Sequence, residues 1–228
     1  NAPPRGVLKL DENSEPIYGF KDLVDLEKIK SLGLPFWLAG GFGHPQKLKE
    51  AIGLGAQGIQ VGTAFSLCNE SGMECELKQR VLAKVIAGDI KVITSSTISP
   101  TGFPFKVLGV ESTASDEKVY NIRKRICDLG FLRNVVIDPA GKLNYRCSAE
   151  PVEDFMKKGG REEDAIGRSC LCNNLAATAG FAQIRKDNFF EPQLVTSGDD
   201  IETITRLIKP GTINYSAIDV LNYLLGKS

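Results

Sequence analysis

A single histidine, a single tryptophan and two methionines are spread through 228 residues, and neither sign of charge prevails, because 28 Lys and Arg face 28 Asp and Glu. That balance removes any global electrostatic reason to expect a nucleic acid or an anionic membrane as partner. No run approaches the roughly 18 consecutive apolar residues of a membrane span, and the N-terminus lacks a charged-then-apolar leader pattern, so a cytoplasmic location is the expectation. Internal repeats and low-complexity tracts are absent as well. What is present is a 42% hydrophobic content, enough to bury one sizeable core or two smaller ones. Six cysteines do not require disulfides at this length, and Cys170-Leu171-Cys172 is a spacing more typical of metal or redox chemistry than of a secreted scaffold. Asn1 to Gly6 reads like the interior of a loop with no initiator Met, so further residues upstream are expected.

Along the chain, Val7 to Leu10 predicts a short strand and Asp11 to Ser14 a turn. Leu23, Val24, Leu26, Ile29 and Leu32 predict a helix over 20–32, stopped by Gly33. A strand is expected over 35–39, a helix opened by His44-Pro45 with Leu48, Ala51 and Ile52 inward, and a strand over 58–61. Strand, helix, strand makes a βαβ unit with parallel strands. Glu74 to Ala87 then carries Leu77, Val81, Leu82, Val85 and Ile86 at helical spacing. Beyond it come a strand over 90–97, a rigid aromatic loop over 99–105, and a helix capped by Ser115 with Val119, Ile122 and Ile126 inward, ending at Gly130. A cysteine- and turn-rich stretch runs to Ser169, followed by helices expected over 174–185, 200–208 and 216–225, the last opened by a capping-box arrangement of Ser216 and Asp219.

Two segments of the βαβ unit carry the chemistry. Leu38-Ala39-Gly40-Gly41 and Gln60-Val61-Gly62-Thr63 each deliver glycine where a strand stops. Glycine lets backbone N–H groups approach an anion with no Cβ in the way, and a following helix N-terminus adds partial positive charge. Glycines that merely permit tight turns are the bland alternative for either motif alone. The combination favours a phosphate site, since both follow neighbouring strands and Thr63 adds a hydroxyl. In (β/α)8 barrels the corresponding place is the pair of loops after strands seven and eight. The fold expected is α/β: the C-terminal portion of a (β/α)8 barrel over residues 1–90, then a mostly helical, cysteine-containing extension over 91–228 that packs on it.

The runs Pro35 to Gly43 and Gly55 to Phe65 resemble the FMN-binding end of the nitronate monooxygenase family, formerly called 2-nitropropane dioxygenases. Asn1 to Gly6, Ser99 to Lys106, Cys127-Asp128-Leu129-Gly130, Arg146 to Pro151 and Cys170-Leu171-Cys172-Asn173 are similar to a long-tailed branch of it. The resemblance implies FMN as cofactor, with Gly40 and Gly41 on one side of its phosphate and Gln60, Val61, Gly62 and Thr63 on the other. It also implies oxidation of a nitroalkane or nitronate by O2 to a carbonyl compound and nitrite, the flavin doing the electron transfer. Small-molecule substrate and O2 are then the expected partners, and a homo-oligomer is left open. Members of the family commonly carry a catalytic histidine in a Gly-Gly-His segment just before the loop at Asn1, so the base is expected upstream and the 228 residues alone are expected to be inactive. His44 is read as a loop residue at a helix N-terminus.

Cys127, Cys147, Cys170 and Cys172 fall in the tail, and four thiolates are what a tetrahedral zinc or an iron–sulfur cluster requires. Only one close pair exists among them, so buried structural thiols are the favoured reading and metal the alternative. Cys68 and Cys75 are expected to be buried, inert thiols. Arg123, Lys124 and Arg125 are read as a solvated helix face. Two functions compete with the leading one: an FMN-dependent enoyl-acyl-carrier-protein reductase of a lipid or polyketide pathway, and a non-catalytic cysteine-rich binding module.

Overall fold

The computed structural model describes residues 9–12 and 15–227. The loop expected at Asn1 to Gly6, the first half of the strand expected from Val7, and the end of the turn at Asn13 and Ser14 lie outside the described residues. The helix expected over 20–32 is two pieces, a 3-10 turn Phe20–Asp22 and α1, Leu26–Ser31. Leu23 between them is extended, and Asp25 restarts the helix by accepting the Lys28 N–H on its side chain. Leu23 and Leu32 are 75% and 69% exposed. With no buried face to reward it, a continuous amphipathic helix has little to hold it.

The βαβ unit is present. β1 (Trp37–Leu38) and β2 (Gly58–Ile59) pair in parallel around α2 (Pro45–Gly53), with Trp37 opposite Gly58 and Leu38 opposite Ile59. Ala51 is fully buried on α2, whereas Ile52, expected inward, is half exposed. Among the described residues no barrel closes: the sheets are three separate two-stranded pairs, and this one alone is parallel. A short α3 (Thr63–Ser66) leads to α4 (Cys75–Ala87), capped by Glu74, which accepts the N–H groups of Glu76 and Leu77, and stopped by Gly88 at φ 67°. Leu77, Val81, Leu82 and Val85 are buried as expected, while Ile86 and Cys75 face outward.

The remainder is mixed rather than mostly helical. β3 (Val92–Ser95) pairs antiparallel with β4 (Phe105–Leu108), so Phe105 ends the aromatic loop as a strand residue. α5 (Glu117–Ile122) is capped by Asp116, not Ser115, whose hydroxyl instead accepts the Val110 N–H. It ends at Ile122, which is exposed, and Arg123 is already extended. β5 (Asn134–Ile137) and β6 (Leu143–Arg146) form a hairpin where only turns were expected. Its turn is held by Asp138, whose carboxylate accepts the N–H groups of Ala140 and Lys142. α6 (Val152–Lys157), α7 (Leu171–Thr178), a 3-10 segment Asp199–Leu207 and α8 (Ala217–Leu225) complete the chain. α7 thus starts and ends earlier than the helix expected over 174–185.

The largest core cluster draws on both sides of residue 90. Leu67, Leu77, Val81 and Leu82 meet Leu108, Val195, Ile204, Val220 and Leu224 in it. The buried Tyr215 hydroxyl donates to the Ala64 carbonyl at 2.7 Å. The supposed solvated basic face is no face at all: Arg123 is buried against Glu191 at 3.1 Å, and Arg125 donates to the carbonyls of Ser148, Glu150 and Ala165. Only Lys124 is exposed, paired with Asp187.

Candidate functional site

The loops that leave β1 and β2 open onto one cleft of about 580 Å³, within the range of small-molecule sites. Residues 39–43 and 60–63, with Ser66, line one wall. The structure therefore brings Gly40, Gly41, Gln60, Val61, Gly62 and Thr63 together. Gly40 and Gly41 sit at φ 83° and 77°, a left-handed backbone that glycine adopts without strain. A Cβ built on Gly40, Gly41 or Gly62 would meet nothing within 4 Å, so all three border open space. Among the described residues, the backbone N–H groups of Gly40, Gly41, Gly62 and Thr63 make no hydrogen bond. Four uncommitted donors beside one cleft suit an anion.

The helix contribution anticipated at α2 is smaller. Pro45 has no N–H, and the Gln46 N–H is taken by Nδ1 of His44 at 3.3 Å. His44 is the N-cap, packs edge-on against Tyr223 at 5.8 Å, and is not among the residues lining the cleft.

Sequence reasoning missed the second wall. Residues 103–106 and 196–198, with Asp200, face the glycine loops across the cleft. Their position follows from strand pairing: the Leu108 N–H donates to the Val195 carbonyl at 2.9 Å, Val107 bridges Thr196, and the Ser197 N–H reaches the Lys106 carbonyl at 3.4 Å. The chain then passes over α3, where the Gly198 N–H donates to Thr63 Oγ1 at 2.9 Å. The Thr63 hydroxyl hydrogen stays free to donate. A Cβ on Gly198 would lie 2.8 Å from an Asp200 carboxylate oxygen and one on Gly43 would lie 3.0 Å from the other, so a side chain at either position would press on that carboxylate. Lys106 and Asp200 are the charged residues among the described cleft lining. The Thr-Ser-Gly-Asp-Asp run at 196–200 reads locally as a turn, and nothing local links it to a site 135 residues earlier.

Cys147, Cys170 and Cys172 share a small apolar cluster with Ala149, and Cys127 is half-buried. All six cysteines are free thiols. Burial pushes the Cys127 and Cys147 thiols above their ordinary range, and Cys170 up to about 12. Among the described residues no group of three or more His, Cys, Asp or Glu is arranged to hold a metal ion. Of the four tail cysteines, Cys147 and Cys170 are buried, whereas Cys127 and Cys172 are only partly so. No helix of the described residues is long and apolar enough to cross a membrane.

The family model described as nitronate monooxygenase matches residues 16–102, a span that contains both glycine loops. A probable nitronate monooxygenase of Bacillus subtilis is 36% identical over 78 residues, 34% of this chain and 22% of its own length. A nitronate monooxygenase of Pseudomonas aeruginosa is 32% identical over 100 residues, 44% of this chain and 28% of its own length. The chain thus spans about a quarter of each curated relative it matches. No solved structure matches it. The matched span ends before β4 and the 196–200 run, so the second wall lies outside it. Over residues 16–102, then, the chain is similar to the nitronate monooxygenase family.

Proposed function

We propose that the protein is an FMN-dependent oxidoreductase of nitronate monooxygenase type, which oxidises nitroalkanes or their nitronates with O2 to carbonyl compounds and nitrite. The observation that carries the reading is the pair of glycine loops on one cleft, with uncommitted N–H groups at Gly40, Gly41, Gly62 and Thr63, inside the span that matches the family. A phosphate monoester fits such a cradle because a Cβ at any of the three glycines would occupy the space it needs. FMN would supply the electron transfer and the reaction with oxygen. The chain's own residues bind and orient: Gly40 and Gly41 from one loop, Gln60, Val61, Gly62 and Thr63 from the other, with the Thr63 hydroxyl fixed by Gly198 so that its hydrogen is available to an acceptor. Residues 1–90 form the cofactor-binding part in this reading, and 91–228 an extension that closes the cleft.

The test is flavin content in two glycine variants. Gly62 has φ −98° and open space around it, so Gly62→Val adds bulk to the cleft with no left-handed backbone to strain. It is expected to weaken FMN binding by about ten-fold or more while leaving the melting temperature close to the parent's. Gly41→Val is expected to lose both flavin and some stability, because its φ of 77° is costly for a branched side chain. Full flavin absorbance in purified Gly62→Val and Gly41→Val would remove the assignment.

A further inference from the structure

The glycine wall offers a dianion hydrogen-bond donors but no formal charge: none of residues 39–43, 60–63 or 66 is ionisable. Across the cleft, Lys106 is the one cationic residue of the described lining. Lys106 lies on β4, opposite Thr94 in the ladder, and alternates with Val107, whose side chain is buried in the core. Its side chain is 15% exposed and is held by Asp199 Oδ1 at 2.6 Å, whereas the Asp199 carboxylate is 68% exposed. We propose that Lys106 is the cationic binding residue for the phosphate end of the cofactor, and that Asp199 holds its ammonium at the cleft until the phosphate takes it over.

The proposal rests on the flavin-phosphate reading above and adds a residue outside the family-matched span. Three observations support it. First, a pair with a largely solvated carboxylate is weak, so exchanging Asp199 for a phosphate dianion costs little. A lysine ammonium is a compact point charge with three donors that can turn toward the new partner. Second, Asp200 is the other charged residue of the described lining, its carboxylate lying against Gly43 and Gly198. Without Lys106 the lining would therefore carry net negative charge and repel a phosphate. Third, the segment that bears Asp199 is fastened at both sides of the cleft, by Ser197 to the Lys106 carbonyl and by Gly198 to Thr63. The counter-charge is thus tied to the same threonine that the glycine wall presents.

The experiment compares FMN with riboflavin, which shares the ring and ribityl chain but has no phosphate. Each is titrated by flavin fluorescence against the apo form of the full natural polypeptide. The parent is expected to prefer FMN. Lys106→Met should weaken FMN by on the order of 10- to 100-fold and leave riboflavin unchanged, so that the preference collapses. Lys106→Arg should keep most of the preference. Asp199→Asn, which breaks the same ion pair but keeps the ammonium, should bind FMN as well as the parent or better. Lys157→Gln, which removes a positive charge that does not line the cleft, should change neither ligand. If Lys106→Met keeps the parent's preference for FMN, or if it and Asp199→Asn weaken both flavins alike as loss of a structural ion pair would, the inference falls while the phosphate site stands. Should Lys106→Met not fold, Lys106→Gln is read by the same criteria. A parent that binds FMN and riboflavin equally overturns the phosphate site and this inference with it.

Discussion

At the scale of single residues, the tail is governed by a buried ion pair. Arg123 and Glu191 meet at 3.1 Å with side chains 1% and 0% exposed, and Asn174 donates to the same Glu191 oxygen at 3.1 Å. Burial pushes the Glu191 carboxyl above its ordinary range even against the pull of Arg123. Desolvation thus outweighs attraction, as is common for such pairs. Breaking the pair on one side strands a charge whose Nε and Nη2 already lack partners. Glu191→Gln is expected to cost about 3–5 kcal/mol by urea denaturation. Replacing both residues together, Arg123→Met with Glu191→Leu, should cost less than Glu191→Gln alone, a non-additivity that a double-mutant cycle reads directly. Equal or greater loss in the double variant would mean that the pair contributes net stability.

Among the elements, α8 carries a strongly depressed capping carboxyl and with it a pH signature. Asp219 is held to about 2, from an ordinary 3.8, by the Ser216 hydroxyl, the Ser216 N–H and Lys209. A carboxyl depressed in the folded state stabilises fully above its unfolded value, and that contribution disappears as pH falls through the folded one. Helix α8 is therefore expected to lose amide protection between about pH 4 and pH 2, and Asp219→Asn should lack this acid-dependent step. A parent whose α8 protection is flat across that window would contradict the assignment. The same helix shows why parts of the fold are legible in sequence: the Ser216 and Asp219 box and the Gly226 stop are local chemistry, as are Glu74 and Gly88 at the ends of α4. The hairpin β5–β6 was missed although Asp138 and Gly141 are ordinary turn residues, because its strands are half-exposed and lack a clean apolar alternation. The helix expected over 20–32 failed for the opposite reason, a good apolar period at Leu23 and Leu32 with no core to receive it. In the cleft the glycine wall could be read because its signal lies within one βαβ unit. Lys106 and Asp200 could not, since their place depends on the pairing of 195–197 with β4.

For the whole molecule, the shared core sets how it unfolds. Leu224 on α8 and Val81 on α4 belong to one cluster, so a cavity at the C-terminal end should be felt across residue 90. Leu224→Ala is expected to cost about 2–5 kcal/mol, and native-state hydrogen exchange should show α4 amides losing protection by the same amount as those of α8. Loss confined to α8 would mean that the halves open independently. The bond from Gly198 to Thr63 adds a constraint in time. The two residues are 135 apart in the chain, and at a synthesis rate of about 5–20 residues per second the ribosome delivers the second roughly 7–27 s after the first. Through that interval the glycine loops exist without their facing wall or its ammonium. On the proposed flavin reading, a nascent chain would shape the glycine cradle first and hold a flavin at full strength only after the 196–200 run had emerged, so that cofactor loading would wait on synthesis of the facing wall.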